Sequence, residues 1–325
     1  MMNYLLFKLR FDTAVHFGAS DSALSLYSSE DHFLADTLFA ALCNTAQSLY
    51  GNHGADLLCA QAKAGELLLS DSMPWQEDTF FLPKPIITGE STEDVPSKVR
   101  KDMKKLKWIP IDMYDEFWGA LDTGKVFDTD KSAYKMGHIG ETTKVGKPGS
   151  EDGSPYQVGL YYFSRQPQSG LYFIAACNST EQEEMLTKLV EVLGMSGIGG
   201  KTSSGYGRFT LETFINEPFD AQTEWLYSAL SRNDAKHNVL ISTSLPREDE
   251  MERAVEDASY LLVRRGGFAR PDADSAAARK KQTQYFMSAG SVFERRYEGA
   301  LYEVGRAESH AVYRYGRPMF LGVGL

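Results

Sequence analysis

Cysteine is scarce in this chain: Cys43, Cys59 and Cys177 are the whole complement, far apart and without a C-x-x-C pair. That spacing excludes a zinc site built from paired ligands and a disulfide framework, and it suits a reducing cytoplasm. Positive charge is short as well. Lys and Arg number 34 against 44 Asp and Glu, a net charge of −10, which argues against a protein that coats nucleic acid through a broadly basic surface. Any RNA contact must be local. The opening MMNYLLFKLRF is apolar but is broken by Lys8 and Arg10 and lacks a small-residue cleavage site. It reads as a first strand rather than a signal peptide or a membrane span. Short-period repeats are missing too. The length of 325 residues suggests about two domains, each large enough to bury a core.

Glycine, by contrast, is concentrated in one place. Residues 194–209 read GMSGIGGKTSSGYGRF, in which Gly194, Gly197, Gly199, Gly200, Gly205 and Gly207 surround Lys201 and the run Thr202-Ser203-Ser204. Such a backbone can take positive φ repeatedly and leave amide N–H groups uncovered, which suits an anion. Upstream, Thr180-x-x-Glu183 forms a capping box, and Met185, Leu186, Leu189, Val190 and Leu193 recur on one helical face, with Gly194 as the C′ residue. Downstream, 208–214 alternates like a half-buried strand. The order helix, loop, strand is the reverse of a Walker A phosphate loop. The glycine that such a motif needs five places before Gly200 is Met195. A bare reversing turn, in turn, leaves four consecutive hydrogen-bonding side chains unexplained.

Around the loop the chain is α+β. Residues 4–13 alternate as a strand with one wetter face, followed by His16-Phe17-Gly18, and Asp36-Thr37 caps a helix running to about Tyr50. Short strands are expected at 67–70 and 80–82, with Leu82-Pro83-Lys84-Pro85 as an extended stop. Residues 89–125 read as an inserted segment and a poor core candidate. Within it, Lys98, Arg100, Lys101, Lys104, Lys105 and Lys107 form a basic run, either a solvated helix face or a binding surface. Residues 127–156 are a long polar excursion, a loop or an extended hairpin. Strands at 157–164 and 171–177 complete a β-α-β-β-α-β order, the ferredoxin-like (RRM-like) arrangement. We place a first domain at 1–216, with insertions at 89–125 and 127–156, and a second at 217–325. The second has a strand at 239–244, an acidic capped helix at 246–257, a strand at 260–264 and strand-rich remaining sequence. Residues 273–281 read as a surface loop or a short helix.

The motif GIGGKTSSGYGRF after an amphipathic helix resembles the signature of the RAMP superfamily of CRISPR proteins. Five further stretches together resemble the subunit of type III-A (Csm) effectors that holds the crRNA 5′ handle. They are His16-Phe17-Gly18, residues 36–42 (DTLFAAL), Leu82-Pro83-Lys84-Pro85, residues 104–110 (KKLKWIP) and residues 312–318 (VYRYGRP). The resemblance implies two ferredoxin-like domains with inserted loops that clamp the handle. It also implies docking on the large polymerase-cyclase subunit and on a backbone RAMP subunit, in the cytoplasm and away from membranes. A thumb-like hairpin that displaces a base of the guide–target duplex, and so meets target RNA near the guide start, is placed at 138–156. Family members often carry an arginine-rich thumb, whereas here the basic residues near its tip are Lys144 and Lys147.

The residues themselves assign roles. Gly197, Gly199 and Gly200 offer amides, Lys201 an ammonium, and Thr202, Ser203 and Ser204 hydroxyls, all suited to phosphates whatever the base. Phe17, Tyr206 and Tyr315 are candidates for base stacking, Lys84 and Arg314 are candidates for phosphate pairing, and Lys144 joins the RNA-binding set through the thumb that the resemblance implies. His16 is either a hydrogen-bond donor to RNA or to a loop carbonyl, or the general acid–base group of an endoribonuclease that processes precursor crRNA. The remaining histidines are scattered without a partner for such chemistry. Asp36 reads as a helix cap. No cofactor or metal is expected, and the alternative assemblies are a processing endoribonuclease or the equivalent subunit of a III-B (Cmr) complex.

Overall fold

A computed structural model describes residues 2–18, 23–87, 97–123, 127–132, 134–146, 153–268, 280–306 and 311–324. The chain begins with β1 (Asn3–Phe11), α1 (Ala35–Tyr50), α2 (Asn52–Ala64), β2 (Leu68–Leu69), β3 (Met73–Gln76) and β4 (Thr79–Pro83). Next come α3 (Ser97–Lys105), β5 (Trp108–Pro110), α4 (Tyr114–Thr123), and a hairpin of β6 (Gly137–Gly146) with β7 (Ser154–Phe163). The first half closes with β8 (Ser169–Cys177), α5 (Thr180–Ser196) and β9 (Phe209–Ile215).

Strand order in the main antiparallel sheet is β5-β4-β3-β8-β1-β9, with β2 also paired to β8. The central trio β9-β1-β8 flanked by β3 is the ferredoxin-like order. One face follows from the alternation of β1: Leu5, Phe7 and Leu9 pack against Leu38, Phe39 and Leu42 of α1 and Leu186, Leu189 and Val190 of α5. The opposite face, expected to be the wetter one, is covered. Leu6, Tyr172 and Ile174 form a second core with Ile109, Tyr114 and Phe117, so the segment read as a poor core candidate closes the sheet. Its β5 pairs with β4, Leu82 opposite Ile109, which gives Ile109 and Ile111 an interior to fill. All nine residues of β8 are buried, as a strand sandwiched between two layers requires.

Several boundaries move for local reasons. The N-cap of α5 is Ser179, whose hydroxyl accepts the Gln182 amide at 3.3 Å, and the helix runs past Gly194 to a C-cap at Gly197. Gly194 stays helical because its bare Cα lies against the Phe209 carbonyl, where a Cβ would sit 2.4 Å away. α2 follows α1 directly at Gly51 and ends in the left-handed C-cap Gly65.

The second half comprises α6 (Ala221–Ser231), β10 (His237–Leu240), α7 (Met251–Val255), β11 (Leu262–Arg265), β12 (Gln284–Met287), β13 (Val292–Phe293), β14 (Leu301–Arg306), β15 (Ala311–Tyr315) and β16 (Phe320–Val323). β10 is central to a sheet β13-β10-β16, while β11-β12 and β14-β15 are two-stranded ribbons. The helix expected over 246–257 contracts to the five residues of α7. Val239, Ile241 and Leu321 share the second core with the main sheet, so the two halves meet through buried apolar side chains.

Asp71, in the loop between β2 and β3, ties that junction. Its Oδ1 accepts the Ala35 amide at 2.7 Å and the Thr243 amide at 2.8 Å, and its Oδ2 accepts the Thr243 hydroxyl at 2.7 Å. Asp71 therefore supplies the α1 cap that the sequence assigned to Asp36; the N-cap residue itself is Leu34, which has no side-chain acceptor. Burial raises the Asp71 pKa, and the bonds from Thr243 and Ala35 oppose the rise. An amide of the same shape should keep all three bonds. Asp71→Ala is expected to lower stability by about 2–3 kcal/mol through stranded donors, and Asp71→Asn by less than half of that, measured by urea denaturation. Equal losses would show that the clasp contributes only shape.

Candidate nucleic-acid interface

The glycine loop is built from its own main chain before it can meet any ligand. The amides of Gly197, Ile198, Gly200, Ser204, Gly205 and Gly207 donate to carbonyls of Leu193, Gly207, His16, Lys201, Thr202 and Ala14. The expectation that all amides from Gly197 to Gly200 are exposed is corrected accordingly. Gly197 is spent on closing α5 and Gly200 on the His16 carbonyl. Among the described residues the amides of Gly199, Lys201, Thr202 and Ser203 have no such acceptor. Lys201 itself adopts the left-handed conformation, φ 61°, at the start of a short turn over Thr202–Ser204. The hydroxyl-bearing Ser203 and Ser204 are exposed.

One side of this loop is clasped by the hairpin. The Lys201 ammonium lies 5.0 Å from the ring centre of Tyr156 on β7, and the Lys144 ammonium of β6 lies 4.8 Å from that of Tyr206. These reciprocal cation–π contacts each contribute about 0.5–1 kcal/mol at exposed positions. Tyr206, expected to stack on a base, instead sits half-buried against Ala14, Val158 and Leu160 with Lys144 over its ring. The 138–156 segment falls within a pair of ten-residue antiparallel strands, β6 and β7, that extends to Phe163, and Ile139 and Val145 of β6 are exposed. Lys147 lies outside the described residues.

The other side of the loop opens on a groove of about 860 Å³ that runs between the two halves of the chain. Gly199, Gly200, His16 and Phe17 rim one end, and the first turn of α1 forms a wall. Lys84, Lys104, Lys105 and Lys107 line one flank, and Arg265, Lys281 and Arg314 line the part formed by the second half. Seven basic side chains thus face Glu30, Asp36 and Asp71, in a protein of net charge −10. The groove concentrates positive potential that the rest of the surface lacks. The basic run of the sequence supplies three of those lysines through the end of α3. Arg265 and Lys281 were not anticipated as site residues, since neither sits in a recognisable motif.

Other expected contacts are turned inward. Tyr315 is fully buried, its ring beside Phe39 and its hydroxyl accepting the Leu69 amide, so it packs the core rather than stacking on a base. Arg314, 4% exposed, donates to the carbonyls of Arg265, Gly266 and Gln282. Arg317 donates to the carbonyls of Ala62 and Lys63 at the end of α2. The VYRYGRP stretch is thus a staple between the halves. The Lys84 ammonium donates to the Met103 carbonyl at 3.0 Å, capping α3, and burial lowers its pKa. Phe17 is 5% exposed and packs edge-on against Phe33. His16 Nδ1 lies 2.7 Å from the Gly159 carbonyl, which belongs to strand β7 and not to a loop.

Two acidic centres hold cations of the chain itself. Glu30, Asp31 and His32 bring ligand atoms within 4.8 Å of one another, and the Lys107 ammonium occupies their focus, 2.6 Å from Asp31 and 3.5 Å from Glu30. Burial would raise the Asp31 pKa, but His32 and Lys107 outweigh it and hold the carboxyl well below the usual range. Asp36 takes a bidentate fork from Arg265, at 3.0 Å to Nε and 2.8 Å to Nη2. Burial again acts upward there, and the Arg265 charge and hydrogen bond leave its pKa lowered.

Two predictions follow from this geometry. A Cβ at Gly207, φ +77°, would lie 2.1 Å from the Ile198 carbonyl, whereas at Gly205, φ +87°, it would meet open space. Gly207→Ala should therefore cost about 3 kcal/mol and Gly205→Ala about 1 kcal/mol in chemical denaturation. The Asp36 carboxylate, with its lowered folded pKa, contributes stability above its unfolded pKa of about 3.9 and loses it as pH falls through the folded value. Asp36→Asn should lower stability by about 3 kcal/mol at neutral pH, and urea midpoints taken towards pH 2 should converge with those of the wild type. A gap that persists in acid would contradict the ion pair.

Comparison with known proteins bears on the whole chain. Residues 8–210 match the RAMP superfamily model and residues 233–323 the model of the CRISPR Csm4 C-terminal domain. The "CRISPR system Cms protein Csm4" of Mycobacterium tuberculosis (strain CDC 1551 / Oshkosh) is 32% identical, over 99% of this chain and 98% of that protein. The protein of the same name from Streptococcus thermophilus is 32% identical, over 98% of each. Among solved structures, a chain of the Csm3–Csm4 subcomplex in the type III-A CRISPR-Cas interference complex superposes with a TM-score of 0.65 at 17% identity. That match covers 99% of this chain and 100% of the other. A chain of the Csm1–Csm4 cassette in complex with cA4 gives 0.62 at 19%, covering 99% and 98%. A ferredoxin-like glycine-loop half joined to a second half across a basic groove, with family matches over both, shows that the chain belongs to the Csm4 family of the RAMP superfamily.

Proposed function

We propose that this chain is a non-catalytic RNA-binding subunit of a type III-A Csm interference complex, holding the crRNA 5′ handle in the groove between its halves. The observation that carries this reading is the charge contrast, a cationic groove with the uncommitted Gly199 amide among its lining residues in an otherwise acidic protein. Phosphates are read by such donors without regard to base, so the groove positions the strand and base identity is read at other contacts. The free amides of Gly199 and of Lys201 to Ser203 and the hydroxyls of Thr202, Ser203 and Ser204 take the phosphates nearest the loop.

The hairpin β6–β7 serves as the thumb. Its exposed Ile139 and Val145 present apolar wedges to bases of target RNA near the guide start, a device that unstacks a base step. Solved relatives assembled with Csm1 and with Csm3 support a bridging role here, to a large polymerase-cyclase subunit on one side and a backbone RAMP subunit on the other. No helix among the described residues is long and apolar enough to cross a membrane, and the proposed site of action is the cytoplasm.

His16 supports the non-catalytic reading. Its ring is 7% exposed and one nitrogen is held on the Gly159 carbonyl, and among the described residues the other histidine lining the groove is His32, whose Nδ1 is paired with Asp31 at 2.9 Å. General acid–base cleavage at a 2′-hydroxyl needs two groups aimed at the reacting atoms. Incubation of the protein with labelled repeat-derived RNA tests both points. The expected outcome is binding with the RNA intact, and log K falling linearly with log salt at about 0.7 per phosphate neutralised. Time-dependent cleavage that disappears in His16→Ala would establish an endoribonuclease instead.

A further inference from the structure

Two of the three cysteines, far apart in sequence, meet in the fold. α1 and α2 join at Gly51, and their contacts step away from that bend in pairs. The Gln47 side-chain amide donates to the Asn52 side-chain oxygen at 3.1 Å, and a Cβ on Gly54 would sit 2.9 Å from the Ala46 carbonyl. α2 therefore doubles back along α1. Cys43 lies eight residues before Gly51 and Cys59 eight residues after it, and the next pair along the seam is theirs, a hydrogen bond between the two thiols. Leu42 and Leu58, one residue earlier in each helix, are fully buried in the core beneath. On helices that run in opposite directions, one further step along each chain turns both side chains into the seam or both out of it. Both cysteines pack against that core and stay half-buried.

The pair is chemically asymmetric. Cys43 keeps its proton and donates it to the Cys59 sulfur, and burial further raises the Cys43 pKa. The same hydrogen bond lowers the pKa of Cys59; burial opposes it, and the Lys63 ammonium one turn along α2 favours the thiolate again, against Asp56. A thiolate is the nucleophile in thiol–disulfide exchange. Cys59 is therefore the attacking sulfur, with a second thiol already in contact with it. Cys177 differs on both counts that matter, being fully buried in β8 with its pKa raised by that burial.

We propose that Cys43 and Cys59 are a redox modification site, converted by low-molecular-weight disulfides into a reversible disulfide that locks α1 to α2. The Cys59 sulfur bonds to one sulfur of the small disulfide and expels the other as a thiolate. The Cys43 sulfur, giving up its proton to solvent, then bonds to the Cys59 sulfur and expels the second thiolate. The two protein thiols lose two electrons, and the small disulfide gains them and leaves as two thiols. In a reducing compartment such a bond is transient and serves as a sensor. It closes a short loop across the bend and fastens α2 to the helix that walls the groove, at the end where Arg317 already holds the Ala62 and Lys63 carbonyls. The site is separate from the RNA reading and does not depend on it.

The test incubates the full-length protein with oxidised glutathione at neutral pH, quenches with acid, unfolds and alkylates the chain, and maps its cysteines by mass spectrometry. The urea midpoint is measured before and after oxidation. A linked peptide pair joining Cys43 to Cys59 should form and disappear with dithiothreitol, while Cys177 is recovered alkylated. The oxidised protein should unfold at a higher urea concentration, as closing a loop in the unfolded chain requires. In Cys43→Ser the glutathionyl group should remain on Cys59, and in Cys59→Ser the remaining Cys43 should react about tenfold more slowly than Cys59 does in the wild type. Recovery of Cys43 and Cys59 both alkylated from the oxidised wild type, or glutathione held on wild-type Cys59 as persistently as in Cys43→Ser, would overturn the site. A linked pair with an unchanged midpoint would overturn the lock. Should either variant fail to fold, the wild-type map alone decides between these outcomes.

Discussion

One buried carboxylate organises the junction on which everything functional depends. Asp71 receives the first amide of α1 and the amide and hydroxyl of Thr243, so the helix of the first half and the segment after β10 in the second are fixed to the same two oxygens. A donor left without its acceptor in such a place costs about 1–3 kcal/mol. This constraint sets where Asp36 and Thr37 stand, and Arg265 then closes on them across the groove. The apolar packing of Ile174, Leu230 and Leu321 supplies adhesion between the halves, and the polar clasp supplies register.

An acidic protein can hold an anionic strand only if its cations are gathered and its carboxylates are occupied. Both conditions are met by pairing. Lys107 pairs with Glu30 and Asp31, and Arg265 with Asp36, so these acids at and beside the groove each face a cation of the chain. Lys104 and Lys105 from the first half and Lys281 from the second also face the groove. At physiological salt the Debye length is about 8 Å, so the remaining surface carboxylates are screened from a strand lying in the groove. The glycine loop adds, at Gly199, Lys201, Thr202 and Ser203, amides not used to shape the loop. The two lysine–tyrosine contacts with the hairpin hold that loop on its far side, which links the thumb to the phosphate end of the site.

Local pattern made much of the frame legible. The alternation of Leu5, Phe7 and Leu9, the 180–193 helical face and the strand after Gly207 all appear where their periodicity places them, because neighbours in sequence there are neighbours in space. The glycine loop was legible as a loop, but which of its amides stay uncovered depends on His16 and Ala14, nearly two hundred residues away. Aromatic and basic side chains misled for one reason. Tyr315, Arg314 and Lys84 have polar tips that satisfy carbonyls within the chain as readily as they would bind a phosphate, and no sequence spacing separates the two uses. Lys281 was missed in the opposite sense, since its surroundings are assembled by α1, β11 and β15 and its own neighbours in sequence are unremarkable polar residues.

The most direct measurement is hydrogen exchange of the loop and groove amides in the presence and absence of handle RNA. The amides of Gly199 and of Lys201, Thr202 and Ser203 have no internal acceptor, so they should exchange rapidly in the free protein and slow by at least tenfold when the strand is bound, together with the segment 261–268. Slowing confined to other surfaces, with peptides spanning 199–204 exchanging as fast as before, would contradict the account.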